Sequence, residues 1–350
     1  MPPHPERYPN GICVFRLSAI GDVAHTVAVV RALQDAFPAA PITWIVGRVE
    51  AAVASLVPGV EIVAVDKRHP VREALRLRRT LRQRFDALLH MQVSVRSNVM
   101  SLGVRAAKRW GFDRARSKEG HSLVINRRIP PAPPPGEHVL TGLMRFASAL
   151  GAPPSPPRWD LAIPDEARAW AAQHLPKDRR VLAVNVCASR PVKDWAADRF
   201  ARVVGHAIDR HGLHVVLCGG RSEHERRMAA DIVSTLGRPL QSLVGETTLP
   251  QLLAVLERSV ALLSPDSGPV HLATAVGTPS IGLYGATNMH RCGPSLERRW
   301  SVYTREEAAL RFAGKASTQL GWSEVVPGGM DLIEPDAVCE RLDALFALEG

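Results

Sequence analysis

Short apolar, β-branched runs alternate with longer stretches of helical periodicity along most of this chain. Such alternation predicts parallel strands joined by helices, and it occurs twice, once in each half. We therefore predict an α/β protein with two Rossmann-like, doubly wound parallel-sheet domains. The predicted strands are residues 12–17, 42–46, 61–65, 87–91 and 108–112 in the first half and residues 181–186, 214–218, 241–244, 260–264 and 280–284 in the second.

A proline-rich stretch separates the two halves. Residues 151–160, GAPPSPPRWD, hold too many prolines for a helix or a central strand. We place the boundary there, which gives one domain at residues 1–158 and a second at residues 159–334. The pattern of residues 335–350 predicts a terminal helix with one apolar side. Whether this helix packs back on the first domain is an open alternative. That side consists of Val338, Leu342, Leu345 and Phe346.

Polar residues that directly follow a predicted strand are the candidates for function, because open α/β sheets bind ligands at the carboxyl ends of their strands. In the second half, SPDSGPVH follows the strand at residues 260–264. Asp266 or Ser267 suits an N-cap and Pro269 suits the first helical position. His271 would lie in the first turn, where free amides and the helix dipole attract phosphate. For Asp266 and Ser267 alone, a well-capped helix explains the residues equally well.

Three further strand-to-helix turns carry candidate side chains. Lys193 follows the first strand of the second half and could reach a diphosphate, and Glu223 follows paired glycines where a ribose hydroxyl could bind. In the first half, Asp22 precedes a helix predicted to start near Val23, either as a cap or as a proton acceptor. This turn is not GxGxxG, which argues against a dinucleotide site. The chain has no DxD, so Lys193 and helix termini would meet diphosphate charge without a metal.

The formal net charge of +10 favours an anionic partner. Much of the excess lies in residues 67–86, which predict an arginine-rich helix. This helix is either a solvated surface or a dock for an anionic membrane face. Only 5% of residues are aromatic, and no zinc spacing or stacking motif accompanies the basic residues, so we expect no nucleic-acid partner. The predicted apolar stripe of the helix is Val71, Ala74, Leu75, Leu81 and Phe85.

Location and redox state follow from what the sequence lacks. No segment approaches the ~20 apolar residues that span a bilayer, and the polar N-terminus lacks the apolar core of a secretory signal. We therefore expect a cytoplasmic protein. Its five cysteines are scattered with no CxxC pair, which favours buried, reduced thiols over disulfides or a metal cluster.

Four segments resemble the lipopolysaccharide core heptosyltransferases of glycosyltransferase family 9. They are RLSAIGDVAHT, ASRPVKDW, GGRSEHE and DSGPVHLATAVGTPSIGLYGAT. The last is the most specific, because it matches the family pattern D-[ST]-G-x-x-H-x-A-x-A-x-G-x-P followed by a strand and an aromatic-G-x-T turn. The resemblance implies a GT-B fold, in which two Rossmann-like domains face a cleft, with the acceptor site in the first domain and the donor site in the second.

The resemblance also implies an activity: inverting, metal-independent transfer of L-glycero-D-manno-heptose from ADP-heptose to the Kdo–lipid A inner core. No cofactor is implied. The partners would be an ADP-sugar donor and an anionic glycolipid acceptor, with peripheral contact at the cytoplasmic face of the inner membrane. Asp22 matches the general base. The donor-binding positions are Ser189, Lys193, Glu223, Asp266, Ser267, Gly268 and His271, and the acceptor-binding positions are Ser18, Gln92, Arg96, Arg116, Lys118 and His138.

Three alternatives stay open at this point. The stretch QVSVRSN lacks the glycine of the family's Q-G-x-x-[KR]-S, so a member that moves another sugar, such as a hexose, to a different acceptor would fit. A nucleotide-sugar epimerase with the same fold would need no acceptor. A non-catalytic basic protein would bind an anionic glycolipid or nucleic acid and would not depend on Asp22.

Overall fold

The computed structural model describes residues 8–347 and divides into two compact units, Met1–Ala162 and Ile163–Gly350. The division falls a few residues after the boundary predicted from the proline-rich stretch. Each unit is an α/β layer structure with a parallel sheet at its centre.

The first unit is built on a sheet whose middle strands are buried on both faces, as helices on either side of a parallel sheet require. Its sheet order is β3-β2-β1-β4-β5-β6, with every neighbouring pair parallel. The elements are β1 Ile12–Phe15, α1 Ile20–Ala36, β2 Ile42–Gly47, α2 Ala51–Ala54, β3 Val60–Val65, α3 Pro70–Thr80, β4 Phe85–His90, α4 Val95–Ser101, β5 Ala106–Gly111, β6 Arg127–Arg128 and α5 Val139–Ala149.

The second unit repeats this architecture with the strand order β12-β11-β10-β7-β8-β9, again parallel throughout. Its elements are α6 Asp165–His174, β7 Val181–Asn185, α7 Ala197–His211, β8 His214–Cys218, α8 Glu223–Leu236, β9 Gln241–Ser242, α9 Leu249–Glu257, β10 Ser259–Pro265, α10 Gly268–Ala275, β11 Ser280–Tyr284, α11 Met289–Cys292, β12 Val302–Tyr303, α12 Arg305–Ala313 and α13 Pro335–Ala347.

Both units therefore share the doubly wound strand order 3-2-1-4-5-6, counted within each unit, and the predicted fold class is confirmed. The chain reverses direction across the sheet between β1 and β4 in the first unit and between β7 and β10 in the second. In such sheets the crevice at this switch point, beyond the carboxyl ends of the strands, is the place where ligands bind. The short edge strands β6 and β12 were not predicted, and the strand predicted at residues 241–244 is limited to the two residues of β9.

The C-terminal helix α13 belongs to the second unit. Its predicted apolar side is buried, and its residues join the same hydrophobic cluster as the strands and helix α7 of that unit. The structure thus places this helix on the second unit, where the sequence left open a return to the first.

The arginine-rich helix α3 is shorter than predicted and turns a different side inward. It begins at Pro70 and ends at Thr80, because β4 already starts at Phe85. Val71 and Leu75, predicted to be buried, are 63% and 54% exposed, whereas Leu77 is fully buried. The prediction is therefore wrong for Val71 and Leu75 and omitted Leu77, whereas Leu81 and Phe85 are buried as predicted.

A close backbone approach explains which side of α3 packs. A Cβ atom at Gly103, which follows α4, would lie 2.2 Å from the Ala74 carbonyl oxygen, so only glycine fits between the two helices. This contact turns Ala74 and Leu77 inward and leaves Val71 and Leu75 outward.

Two predictions about the whole chain can be compared with residues 8–347. No helix there combines the length and apolar character that a membrane span needs. All five cysteines are free thiols, and four of them are buried, as the sequence predicted.

Candidate active site

The carboxylate of Asp22 is held by an arginine at the switch point of the first unit. Helix α1 begins at Ile20, so Asp22 lies in its first turn and not ahead of the helix as predicted. Its Oδ2 forms an ion pair with Nη2 of Arg16, while Nη1 of Arg16 donates to the Met91 carbonyl oxygen beyond β4. The Asp22 side chain is 30% exposed and that of Arg16 is 13% exposed. Arg16 therefore fixes one oxygen, Oδ2, and no residue of the described range 8–347 bonds the other, Oδ1.

Gln92 clamps the loop between β1 and α1. Its Oε1 accepts from the backbone N–H of Leu17 at 2.7 Å and of Ser18 at 3.2 Å, and its Nε2 donates to the Ser18 hydroxyl at 3.1 Å. These three bonds join the carboxyl ends of β1 and β4 across the switch point. The predicted acceptor residues Ser18 and Gln92 are thus brought together, with Gln92 occupied in shaping the loop.

A small cavity of about 140 Å³ opens beside this clamp. Two cations line it, the predicted Arg96 and the unpredicted Lys67, whose ammonium lies 2.6 Å from Oε1 of the buried Glu50. A cavity that combines cations with hydroxyl and amide groups suits an oxygen-rich anion. The complete lining is Leu17, Ser18, Lys67, Gln92, Ser94, Arg96, Ser97 and Met100.

Arg116 and His138 lie away from that lining and hold other groups. The Arg116 guanidinium donates to Asp113 at 2.5 Å and to Glu137 at 2.8 Å, so two carboxylates neutralise it. His138 is buried, and its Nδ1 accepts from the Leu140 N–H at 3.2 Å, which caps α5. Both residues organise the segment before α5 in this structure.

Lys118 is exposed and belongs to a loop that is anchored to the N-terminus of α4. The neighbouring Glu119 accepts from the Val95 N–H at 2.9 Å, and its own carbonyl oxygen accepts from Asn98 at 2.8 Å. This places the Lys118 loop beside the helix that begins just before Arg96. The structure thereby connects two predicted acceptor residues through backbone contacts of their neighbours.

A neutral histidine pair is buried behind α4. The Phe112 N–H donates to Nε2 of His121 at 3.3 Å, so the proton of His121 is on Nδ1, 3.2 Å from Oδ1 of Asn98. Burial, and to a smaller extent the charge of Arg128, lowers the pKa of His121 to about 4. His90, whose ring centroid lies 4.6 Å from that of His121, has its pKa lowered well below the usual value, chiefly by burial.

In the second unit, Lys193 and Asp266 form one structure. The Lys193 ammonium lies 3.0 Å from Oδ2 of Asp266 and 2.7 Å from its backbone oxygen. Both side chains are about nine-tenths buried. Lys193 follows β7 and Asp266 follows β10, so this pair spans the switch point of the second sheet. Two predicted donor residues that are far apart in sequence are in contact here.

Ser267 precedes α10 but does not cap it, contrary to the simplest interpretation of its position. Its side chain makes no capping bond. Instead, the hydroxyl lies 2.9 Å from that of Ser264 and accepts from Nδ2 of Asn185 at 3.1 Å. The first-turn amides of α10, beginning with Gly268, are therefore not bonded to the Ser267 side chain.

A cavity of about 120 Å³ contains the Lys193–Asp266 pair and two further cations, Arg190 and Arg291. The thiol of Cys292 donates to Oδ2 of Asp266 across 3.6 Å, and burial, with Asp266 adding to it, raises the pKa of this thiol to about 12. Three cations in one cavity suit a ligand with more than one negative charge. The lining is Arg190, Lys193, Asp266, Thr287, Asn288, Arg291, Cys292, Trp322, Ser323, Glu324 and Val325.

Asp194 fixes the loop that carries Lys193. Its Oδ1 accepts from the Ala188 N–H at 2.7 Å, and its Oδ2 lies 2.7 Å from Nε2 of His224 in the first turn of α8. The Asp194 side chain is 8% exposed, so the carboxylate is a buried link between the loop after β7 and α8. With Cys187, these side chains also form a cluster whose ligand atoms lie close enough to hold a metal ion.

The remaining predicted donor residues lie around this framework. Ser189 is exposed in the loop that Asp194 holds, and Glu223 is exposed at the start of α8, where its carboxylate lies 3.7 Å from Nε of Arg227. His271 is buried in α10. A close approach explains the glycine of the YGAT turn, because a Cβ at Gly285 would lie 2.1 Å from a carbonyl oxygen of the loop around residue 329.

Comparison with known proteins decides the family. The model of glycosyltransferase family 9 (heptosyltransferase) matches residues 74–319. The lipopolysaccharide core heptosyltransferase OpsX of Haemophilus influenzae is 38% identical over 323 residues, which cover 91% of this chain and 92% of that protein. The chain belongs to glycosyltransferase family 9. The resemblance stated from the motifs is thereby confirmed, and this family 9 chain is a glycosyltransferase.

Solved structures support the fold of this family 9 enzyme. The glycosyltransferase family 9 protein of Veillonella parvula superposes with a TM-score of 0.79 at 21% identity, covering 97% of each chain. The Escherichia coli heptosyltransferase WaaC with ADP superposes with a TM-score of 0.73 at 21% identity, covering 95% of this chain and 99% of the other. At these identities the likeness concerns the fold, and the GT-B assignment is confirmed.

Several residues of the family 9 site were missed by sequence reasoning. Arg16 directly follows the apolar strand β1, and a charged residue at that point was the available signal for a partner of Asp22. Asp194 lies inside the segment ASRPVKDW and Asn185 lies shortly before it, and only the fold shows what they contact. Arg291 and Trp322 come from segments that carry no motif.

Proposed function

We propose that this enzyme transfers L-glycero-D-manno-heptose from ADP-heptose to the Kdo–lipid A region of lipopolysaccharide. The similarity to OpsX over nine-tenths of both chains supports the heptosyltransferase assignment. The observation that carries the proposal is the cavity at the switch point of the second unit, where Lys193, Arg190 and Arg291 surround the Asp266 turn.

The donor end of the reaction rests on Lys193. An ammonium group has three donors, and Asp266 accepts two of them in this structure. The third is left for a diphosphate oxygen, and the two bonds to Asp266 hold the ammonium in place before the donor binds. A preorganised cation of this kind stabilises the charge that develops on the departing ADP. The ADP complex of a solved relative, WaaC, supports an adenine nucleotide as the leaving group.

At the acceptor end, Asp22 is the proposed general base. Its free oxygen would accept the proton of the acceptor hydroxyl as that hydroxyl attacks the anomeric carbon on the face opposite the diphosphate. Bond formation and departure of ADP in one displacement invert the anomeric configuration. Arg16 keeps the carboxylate oriented, because its guanidinium is itself fixed by the Met91 carbonyl oxygen. The cavity lined by Ser18, Arg96 and Lys67 would bind anionic groups of the acceptor.

Metal independence is part of the proposal. The three cations of the donor cavity supply the positive charge that a bound divalent ion would otherwise supply. Chelation should therefore leave turnover within about twofold.

Helix α3 is the proposed point of contact with an anionic membrane surface. Val71 and Leu75 are exposed on it, and the exposed arginines Arg72, Arg78 and Arg79 accompany them. Apolar side chains among cations on one helix favour the interface of an anionic bilayer. Arg76 is excluded from this role, because it donates to the buried Glu73 at 2.7 Å and to a backbone oxygen.

The test is ADP release from a panel of nucleotide sugars, with and without Kdo–lipid A. We expect ADP to be released only when both ADP-heptose and Kdo–lipid A are present. Faster turnover of an ADP-hexose would favour transfer of another sugar, turnover without acceptor would favour an epimerase, and equal or tighter binding of UDP than ADP would contradict the donor assignment.

A further inference from the structure

Two histidines and one aspartate converge on the outer side of the second unit, away from the residues that line its donor cavity. Nε2 of His206 lies 2.7 Å from Oδ1 of Asp343, and Nε2 of His211 lies 2.6 Å from the same oxygen. The histidines come from α7 and the aspartate from α13. All three ligand atoms lie within 4.8 Å of one another.

The three side chains are held by their surroundings. The other carboxylate oxygen of Asp343 lies 3.2 Å from Nε of Arg210, and the His211 ring packs against Phe346 with ring centroids 5.1 Å apart. An outer partner that orients a ligand in this way is usual around protein-bound metals.

The cluster is also open to solvent. The side chains of His206, His211 and Asp343 are 27%, 13% and 33% exposed, so an ion can enter and water can complete its coordination. Two imidazoles and one carboxylate are a common ligand set for Zn²⁺, which takes them at about 2.0–2.2 Å. Tetrahedral ligands at that distance lie roughly 3.3 Å apart. The two nitrogen–oxygen distances, 2.7 Å and 2.6 Å, would need to lengthen by only about 0.6–0.7 Å to reach this separation.

We propose that His206, His211 and Asp343 form a zinc site that joins the C-terminal helix α13 to α7. Zn²⁺ would take Nε2 of each imidazole in its neutral form, with the ring proton on Nδ1. Arg210 remains on the free carboxylate oxygen, and its charge limits the affinity of the site. The site is structural, since its residues belong to neither the donor cavity nor the first unit.

Zinc titration of the tag-free, chelator-treated full chain tests this inference. We expect one Zn²⁺ per chain at this cluster, a higher melting temperature with the ion, and at least tenfold weaker binding in Asp343→Asn and in His211→Gln. Because such variants could alter folding, Co²⁺ bound to the wild-type chain provides a second measurement. It should give the visible absorption of a tetrahedral site with nitrogen and oxygen ligands and no thiolate charge-transfer band.

A matched control separates this site from the second cluster of possible ligands, Cys187, Asp194 and His224. His224→Gln should bind Zn²⁺ as the wild-type chain does. Loss of binding in His224→Gln, unchanged binding in Asp343→Asn, a thiolate band with Co²⁺, or no binding at 100-micromolar concentrations would each overturn the inference.

Discussion

The ammonium of Lys193 donates to both the side chain and the backbone of Asp266, at 3.0 Å and 2.7 Å, across the switch point of the second sheet. The two residues are 73 positions apart in sequence, and the parallel strands β7 and β10 bring them together. This contact makes Lys193 a fixed cation in a nine-tenths buried setting, which is the arrangement that the proposed stabilisation of a leaving diphosphate requires.

Replacing Lys193 with methionine should therefore impair transfer much more than folding. The apolar stem is kept while the charge is lost, so kcat/KM for the donor should fall by ~10²–10³-fold, the usual effect of removing one preorganised stabiliser. Steady-state kinetics with varied ADP-heptose measures it. Lys177→Met, which removes an exposed lysine of the same unit, is the matched control and should leave kcat/KM for the donor unchanged. A Lys193→Met enzyme with near-normal kcat/KM would exclude Lys193 from the donor site.

Asp194 should matter for donor binding without touching the donor. Asp194→Ala leaves the Ala188 N–H and His224 without their carboxylate, which loosens the loop that carries Lys193. We expect ADP to bind about tenfold more weakly, in line with the cost of ~1–3 kcal/mol for a buried group left without its partner. Asp194→Asn keeps a side-chain oxygen that can accept from the Ala188 N–H, so its ADP affinity should fall less than that of Asp194→Ala.

Calorimetric titration with ADP measures this effect, and thermal unfolding measures any general loss of stability. Asp198→Ala removes an exposed carboxylate four positions along the chain and serves as the control. Wild-type ADP affinity in Asp194→Ala would show that the loop holds its position without this link.

The motifs predicted much of this organisation. The alternation of strand and helix patterns was enough to predict two doubly wound sheets, because buried parallel strands appear in the sequence as continuous apolar runs. Asp22 and Lys193 became candidates because they lie in turns after strands, and open α/β sheets bind ligands at the carboxyl ends of their strands. Contacts between distant segments could not be predicted, since Arg16 and Asp194 acquire partners only through tertiary structure. The predicted burial of Val71 and Leu75 in α3 was wrong because Gly103, which lies outside the helix, decides which side of α3 packs.

The histidine pair behind α4 should make folding stability depend on pH. The pKa of His121 is about 4 in the folded chain, below the 6.5 of an unperturbed histidine. Between pH 6.5 and about 4, His121 is protonated in the unfolded chain but neutral in the folded chain. The free energy of unfolding therefore falls as the pH drops through that window. Urea unfolding at pH 7 and pH 5 measures it.

His121→Gln should reduce this pH dependence, and His174→Gln, at an exposed histidine of the second unit, should leave it unchanged. The stability of His121→Gln at pH 7 is expected to be lower, because the Phe112 N–H loses its acceptor. An unchanged difference in unfolding free energy between pH 7 and pH 5 in His121→Gln would contradict a neutral, buried His121.

Membrane contact through α3 can be tested with charge reversals chosen from the structure. A triple variant that replaces Arg72, Arg78 and Arg79 with glutamate should no longer co-sediment with anionic vesicles. The membrane-binding free energy should weaken by about 1 kcal/mol per basic residue near the surface. ADP affinity should not change. Reversing three exposed cations of the second unit, Arg227, Lys315 and Arg341, alters net charge equally and should have a smaller effect. Equal loss in both triple variants would assign binding to net charge and not to α3.

The central claim is that Asp22 removes the acceptor proton during heptosyl transfer, and single-turnover transfer by Asp22→Asn tests it most directly. Asparagine keeps an oxygen for the Arg16 guanidinium but cannot take a proton. With ADP-heptose and Kdo–lipid A, the rate should fall by ~10²-fold or more, while ADP affinity stays at the wild-type value and thermal unfolding confirms a folded chain. A folded Asp22→Asn enzyme that transfers heptose at a near-normal rate would contradict the account, and the base would then have to be sought elsewhere, with His25 on the same helix as the first candidate.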